Sequence, residues 1–167
     1  MDEIPGDEKM RLEIGCGVDR SYKFNPKIFG ENVVYVDVEK PVMKIPNFIR
    51  CDAKRLPFKS LCFTEVYASH VIEHLENPLK FLLEVRRVLV SNGKVWLWTP
   101  NFTSPNARKD PSHRYVFNYF SLKATLRVAG FQPVMFLPYI SYKIFKPFAI
   151  LLTNELYACG EKASIIK

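Results

Sequence analysis

Four cysteines, Cys16, Cys51, Cys62 and Cys159, are scattered along 167 residues without one Cys-x-x-Cys pair. That spacing argues against a zinc site and against a disulfide framework, and it suits a reducing, cytoplasmic location. Low-complexity tracts and internal repeats are absent. The most apolar late run, Phe148-Ala149-Ile150-Leu151-Leu152, falls far short of the about 20 residues that span a bilayer. The start, Met1-Asp2-Glu3-Ile4-Pro5-Gly6-Asp7-Glu8, is acidic and lacks the basic-then-apolar pattern of a signal peptide; residues 1–10 are expected to be a flexible terminus. No nucleic-acid module motif is present. With only seven glycines in the chain, two that fall in one short turn stand out.

A hydrophobic content of 48% over this length predicts one domain, residues 1–167, with a substantial core. Strands are expected at Arg11–Ile14, Val33–Val38, Phe48–Cys51, Glu65–Ser69, Lys94–Thr99, Phe131–Leu137 and Leu156–Gly160. The early ones are continuous β-branched or aromatic runs, as in strands buried on both faces. A helix is predicted over Pro78–Val90, capped by Asn77, with Phe81, Leu82, Val85, Val88 and Leu89 on one stripe. Gly93 is read as the end of the connection to the next strand. Ser121 is read as the cap of a second helix running to about Ala129, with Gly130 as its stop. Asn25-Pro26 starts only a short helix. Alternating strands and helices imply an α/β sandwich around a largely parallel sheet.

Leu12-Glu13-Ile14-Gly15-Cys16-Gly17 is an apolar run ending in a glycine turn, and Val33-Val34-Tyr35-Val36-Asp37 is a second run ending in an acid. Asp37 lies twenty positions beyond Gly17, the spacing at which a carboxylate accepts from a ribose diol. The plain alternative is an ordinary turn and a solvated aspartate. A dinucleotide turn needs a third glycine, where Arg20 stands, and Asp19 would oppose a pyrophosphate. A nicotinamide oxidoreductase is therefore disfavoured, and an adenosine ligand without phosphates, S-adenosylmethionine (SAM), fits.

Several segments together resemble class I SAM-dependent methyltransferases, and most closely the broad group related to ubiquinone/menaquinone-biosynthesis methyltransferases. Leu12–Gly17 resembles that family's first motif, and Val36-Asp37 its second-strand acid. Cys51-Asp52-Ala53-Lys54-Arg55-Leu56-Pro57-Phe58 resembles its Asp-Ala-x-x-Leu-Pro-Phe segment. Ser69-His70-Val71-Ile72-Glu73-His74-Leu75 resembles the fourth-strand exit, and Arg87–Lys94 running on to Thr99-Pro100-Asn101 the helix and fifth strand. The resemblance implies a Rossmann-like three-layer sandwich with a mostly parallel seven-stranded sheet and an antiparallel last strand. It also implies roles. Gly15, Cys16 and Gly17 face the methionine and ribose end, with Glu13 supporting the turn. Asp37 holds the ribose diol and Val38 lies on the adenine. Asp52 accepts from the adenine amino group beside Ala53, while Ser69 and His70 line the methionyl tail.

Three departures from that pattern are visible. About ten residues precede the first motif, so the helix that covers the cofactor is expected to be missing or minimal. Asp19 and Arg20 replace small residues, and Thr64 stands where an aspartate often opens the fourth strand. Methyl transfer from a sulfonium asks chiefly for alignment and exclusion of water, with a base only if the acceptor must lose a proton. The loop Asp110-Pro111-Ser112-His113-Arg114-Tyr115 offers His113 and Tyr115 as acceptor contacts, or serves as a structural cover. His70 reads as a pocket wall and His74 as a structural residue.

Arg108, Lys109, Arg114, Lys123 and Arg127 offer a seat for an anionic acceptor, or simply a solvated face, and the net charge of +7 favours acidic partners. Residues 138–154 read as an insertion between the last two strands. Tyr142, Phe145 and Phe148 within it suit a packed helix, a lid over an aromatic or apolar acceptor, a dimer contact or an interfacial helix. The expected function is methyl transfer from SAM to a small or medium-sized acceptor. The alternatives are a SAM-binding regulatory or scaffolding module without turnover, and a methyltransferase acting on RNA or protein.

Overall fold

The computed structural model describes residues 9–17, 28, 30–42, 44–136 and 153–163. Seven strands share one sheet: β1 (Arg11–Ile14), β2 (Val33–Asp37), β3 (Phe48–Arg50), β4 (Phe63–Ser69), β5 (Leu89–Pro100), β6 (Phe131–Phe136) and β7 (Glu155–Lys162). Their order is β3-β2-β1-β4-β5-β7-β6. The first five run parallel, and β7 is antiparallel to both its neighbours. This is the Rossmann-like α/β arrangement. Strand order reverses between β1 and β4, and ligands of such sheets sit at the strand ends beside that reversal.

Alternation along the strands divides the apolar side chains between the two faces. Leu12, Ile14, Val36, Val66, Ala68, Val95 and Leu97 point into the main core. Val33 and Tyr35 point the other way, into a smaller cluster with Cys16 and Ile45. On that second face Tyr67 stacks between Trp96 and Trp98, at centroid distances of 6.1 and 6.3 Å.

Helix α1 (Pro78–Val88) covers the main core because Phe81, Leu82, Val85 and Val88 fall on one stripe and are completely buried. Asn77 accepts from the Lys80 amide at 2.9 Å, and Pro78 occupies a position whose N–H needs no partner. The helix ends two residues before the expected Val90. Leu89 turns extended to pair with Phe63, so β5 starts there and runs through Gly93, which does not end the connection. A register shift between Phe63 and Glu65 absorbs the extra residues, with Asn92 at φ 60°. Buried Lys162 ties β7 to this start, its Nζ donating to Leu89 O at 2.6 Å.

A short helix, α2 (Pro105–Lys109), follows β5, and α3 (Tyr119–Val128) packs against β6. The cap of α3 is Asn118, not Ser121. The Asn118 side chain accepts from Ser121 N while Ser121 Oγ accepts from Asn118 N, both at 2.9 Å, so Ser121 is the inner partner of a capping box.

Thr64 bonds backward to Met10, with its amide and hydroxyl donating to Met10 O at 2.9 and 3.1 Å, so the end of the N-terminal segment is anchored at the sheet. Residues 1–8, the short helix expected at Asn25-Pro26, Asp19 and Arg20, and all but the end of the 138–154 insertion lie outside the described residues. Among the described residues no helix is long and apolar enough to cross a membrane.

Candidate functional site

At the end of β1 the chain turns through Gly15 (φ 71°) and Gly17 (φ 80°), conformations open to glycine and strained for other residues. A Cβ on Gly15 would run into Val71 Cγ2, whereas one on Gly17 would meet nothing within 4 Å. The first glycine therefore lets two loops touch, and the second leaves space open. Gly15 N donates to Val36 O at 2.9 Å, which holds the turn against β2.

Asp37 ends β2 beside that turn. Its Oδ2 accepts from Gly17 N at 3.3 Å and its Oδ1 from Glu39 N at 3.1 Å. Each oxygen keeps a lone pair for a further donor. Cys51 N donates to Asp37 O at 2.9 Å, so the β3 exit is fixed to the same point. Asp52 follows, its Oδ1 accepting from Lys54 N at 2.8 Å and its Oδ2 lying 3.7 Å from Lys54 Nζ.

These loops enclose a cleft of about 400 Å³, inside the range typical of small-molecule sites. Of the ten residues expected to touch the cofactor, Gly15, Gly17, Asp37, Val38, Asp52, Ala53 and His70 line it. Ile14, Val36, Cys51, Lys54, Val71, His74 and Leu75 complete the wall. Glu13, Cys16 and Ser69 are not in that lining. Glu13 is buried and accepts from Ile28 N at 3.0 Å, which supports the chain after the turn. Cys16 is buried on the opposite face, where desolvation, with Asp37 and Glu13 adding to it, pushes its thiol up to about 12. Ser69 is the last residue of β4, paired with Trp98.

His70 stands between this cleft and a second one. Its φ is 54°, rare for a residue with a side chain and a mark of local strain. Its amide donates to Trp98 O at 2.9 Å. Nδ1 lies 3.2 Å from Glu73 Oε1 and Nε2 lies 3.4 Å from Glu155 Oε1. The second cleft, of about 910 Å³, is more polar and includes His70, Ser104, Lys109, Asp110, His113 and Glu155.

The two acceptor-side candidates separate here. His113 lines the second cleft, its Nδ1–H donating to Ala107 O at 3.1 Å. Tyr115 lines neither cleft, and its hydroxyl donates to Glu76 O at 3.1 Å. The basic residues also disperse. Lys109 reaches the second cleft and Arg114 pairs with Glu76 at 3.3 Å, while Lys123 and Arg127 lie along α3 beside exposed Phe120. Sequence reasoning assigned no role to Glu73 or Glu155. Glu73 could have been noticed as a lone acid in the apolar stretch Val71-Ile72-Glu73, but Glu155 comes to the cleft only because β7 pairs with β5.

The methyltransferase domain family matches residues 12–97. Two uncharacterised proteins of Methanocaldococcus jannaschii are similar over half of this chain. MJ0638 is 33% identical over 88 residues, covering 50% of this chain and 37% of its own length. MJ1123 is 38% identical over 90 residues, covering 50% and 41%. The match thus spans about two fifths of these relatives.

Among solved structures, a SAM-dependent methyltransferase of Archaeoglobus fulgidus matches with TM-score 0.64 at 18% identity, over 92% of this chain and 86% of that one. A chain from the complex of the Haloferax volcanii Trm112 methyltransferase activator with a methyltransferase matches with TM-score 0.69 at 14% identity, over 98% and 86%. At such identities the likeness is one of fold.

Proposed function

The chain belongs to the class I SAM-dependent methyltransferases, and from that premise we propose that it transfers a methyl group from SAM to a small or medium-sized acceptor. The observation that carries this reading is the meeting of Asp37 and Asp52, from neighbouring strand ends, on one cleft opened by two left-handed glycines. An adenosine ligand without phosphates fits that donor set. Two carboxylates can accept from a diol and from an amino group, and Val36, Val38, Ala53 and Leu75 offer apolar surface to a base. The match is to the methyltransferase domain at large, so kinship with the ubiquinone/menaquinone group rests on the quoted motifs.

When bound, SAM supplies a methyl group on a cationic sulfur that leaves as a neutral thioether. The chain has the remaining tasks. Asp37 orients the sugar through lone pairs not used by Gly17 and Glu39. Asp52, held by its own turn, accepts from the base. His70 is fixed at the wall between the clefts by its backbone bond to Trp98. The second cleft takes the acceptor, and its lining of Lys109, Asp110, His113 and Glu155 favours a polar small molecule.

Calorimetry with S-adenosylhomocysteine and with NAD tests the cofactor assignment. Binding of the first and not the second is expected. Transfer of radiolabelled methyl into a panel of metabolites, RNA and protein tests turnover. Label in a small molecule is the expected result; product-cofactor binding with no labelled acceptor across the panel would favour a non-catalytic module.

A further inference from the structure

All three histidines of this chain gather round one buried carboxylate. We propose that Glu73, His74 and His113 form a binding site for a divalent transition-metal ion of the zinc class, bordering the second cleft. The inference does not depend on the methyl-donor reading, although His74 also lines the first cleft.

One nitrogen each of His74 and His113 and one carboxylate oxygen of Glu73 lie within 4.8 Å of one another. The loop after α2 brings them together, with Arg114 N and Tyr115 N donating to Glu73 O at 2.8 and 3.1 Å. Glu73 is 1% exposed. Its Oε2 accepts from Thr99 Oγ1 at 3.0 Å, but its Oε1 takes no hydrogen bond among the described residues. The neighbouring His70 Nδ1, at 3.2 Å, lacks hydrogen-bond geometry and is a charge partner only when that ring is protonated. A buried carboxylate oxygen left so is costly and calls for a positive partner.

Hydrogen bonds also set the two imidazoles for ligation. Ser112 Oγ donates to Asp110 Oδ1 at 2.6 Å, so at 3.1 Å from His74 Nδ1 it must accept. His113 Nδ1 faces a carbonyl, which can only accept. As neutral rings both are therefore Nδ1–H tautomers with lone pairs on Nε2. Metal-bound histidines show this pattern, one ring nitrogen tied to a carbonyl or acid and the other on the ion.

Two imidazoles and one carboxylate suit zinc and its neighbours, whereas magnesium and calcium prefer oxygen ligands throughout. Zinc bonds of about 2.0–2.1 Å at tetrahedral angles place ligand atoms roughly 3.3 Å apart. Binding thus draws the two part-buried imidazoles inward. Three protein ligands leave a coordination position for water, or for an oxygen, nitrogen or sulfur atom of a molecule in the second cleft. The set holds no cysteine and is built from segments some forty positions apart.

The test is titration of the full chain under reducing conditions, with Zn(II) by calorimetry and Co(II) by visible spectroscopy. One ion per chain is expected, with cobalt ligand-field bands and no intense thiolate charge transfer. Burial holds the Cys16, Cys51 and Cys159 thiols at about 12, 11 and 11, so they compete poorly. His74→Gln and His113→Gln should each weaken binding at least tenfold while unfolding at the wild-type temperature. Should His113→Gln fail to fold, His74→Gln carries the same comparison. The absence of a stoichiometric ion, thiolate charge transfer, or affinity that the His74 change leaves intact would overturn the proposal. S-adenosylhomocysteine affinity of the wild-type chain and of His113→Gln, whose position lies outside the first cleft, reports on the methyl-donor reading alone, so the two ideas fail independently.

Discussion

Asp37 concentrates three local demands in one side chain: it ends β2, it accepts from the Gly17 amide, and it faces the cleft. Asp37→Ala is expected to weaken S-adenosylhomocysteine binding by about 1–3 kcal/mol, the cost of leaving polar partners unpaired. Calorimetry showing unchanged affinity would remove the ribose assignment. The two glycines of the turn should differ. At Gly17 a methyl group meets open space, so Gly17→Ala costs only backbone strain, about 1 kcal/mol. At Gly15 the same strain is joined by collision with Val71, so Gly15→Ala should lower the urea midpoint further. Equal midpoints for the two variants would contradict this account. Both glycines and both acids were legible in the sequence, because turn chemistry and strand-end acids are local. His70 was legible only as a wall; its place between two clefts depends on β7, which brings Glu155 from far along the chain.

Among the elements, α1 does more than cover the core. Arg87 near its end donates to Phe58 O at 2.7 Å and Leu56 O at 2.9 Å, and pairs with Glu84 at 2.9 Å. Glu84 in turn accepts from Leu56 N at 3.0 Å. The Leu56-Pro57-Phe58 segment, which follows the cleft-lining residues Asp52, Ala53 and Lys54, is thereby clamped to the helix. Arg87→Met leaves two carbonyls unpaired and should cost about 1–3 kcal/mol in chemical denaturation. The pH dependence follows from Glu84, whose carboxyl is held below its usual value first by the Arg87 hydrogen bond. A lowered carboxyl stabilises the fold above its unfolded value, and that contribution is lost as pH falls through the lowered one. The gap between wild type and Arg87→Met should therefore be widest near neutrality and shrink in acid; a constant gap would exclude the pair as its source. In α3, Asn118→Ala should cost about 1 kcal/mol as a lost cap, measurable as a lower urea midpoint. Sequence reasoning put the cap at Ser121 because both partners of a capping box are cap-type residues, and only the backbone geometry tells which lies outside the helix.

For the molecule as a whole, the prediction is one of linkage. A ligand that binds only the folded state at a hundredfold excess over its Kd stabilises by about 2.7 kcal/mol. S-adenosylhomocysteine should raise the unfolding temperature accordingly, and NAD should leave it unchanged; the reverse order would point to a dinucleotide site. The sequence by itself determined the strand-and-helix alternation, the glycine turn, the two strand-end acids and hence the kind of ligand. These depend on side-chain periodicity and on residues close along the chain. Tertiary structure alone decided that β5 begins at Leu89, that Tyr115 turns away while His113 lines a cleft, and that Glu73 sits buried among three histidines. Each of those depends on pairing between segments far apart in sequence, where burial and register, not local preference, choose the neighbour.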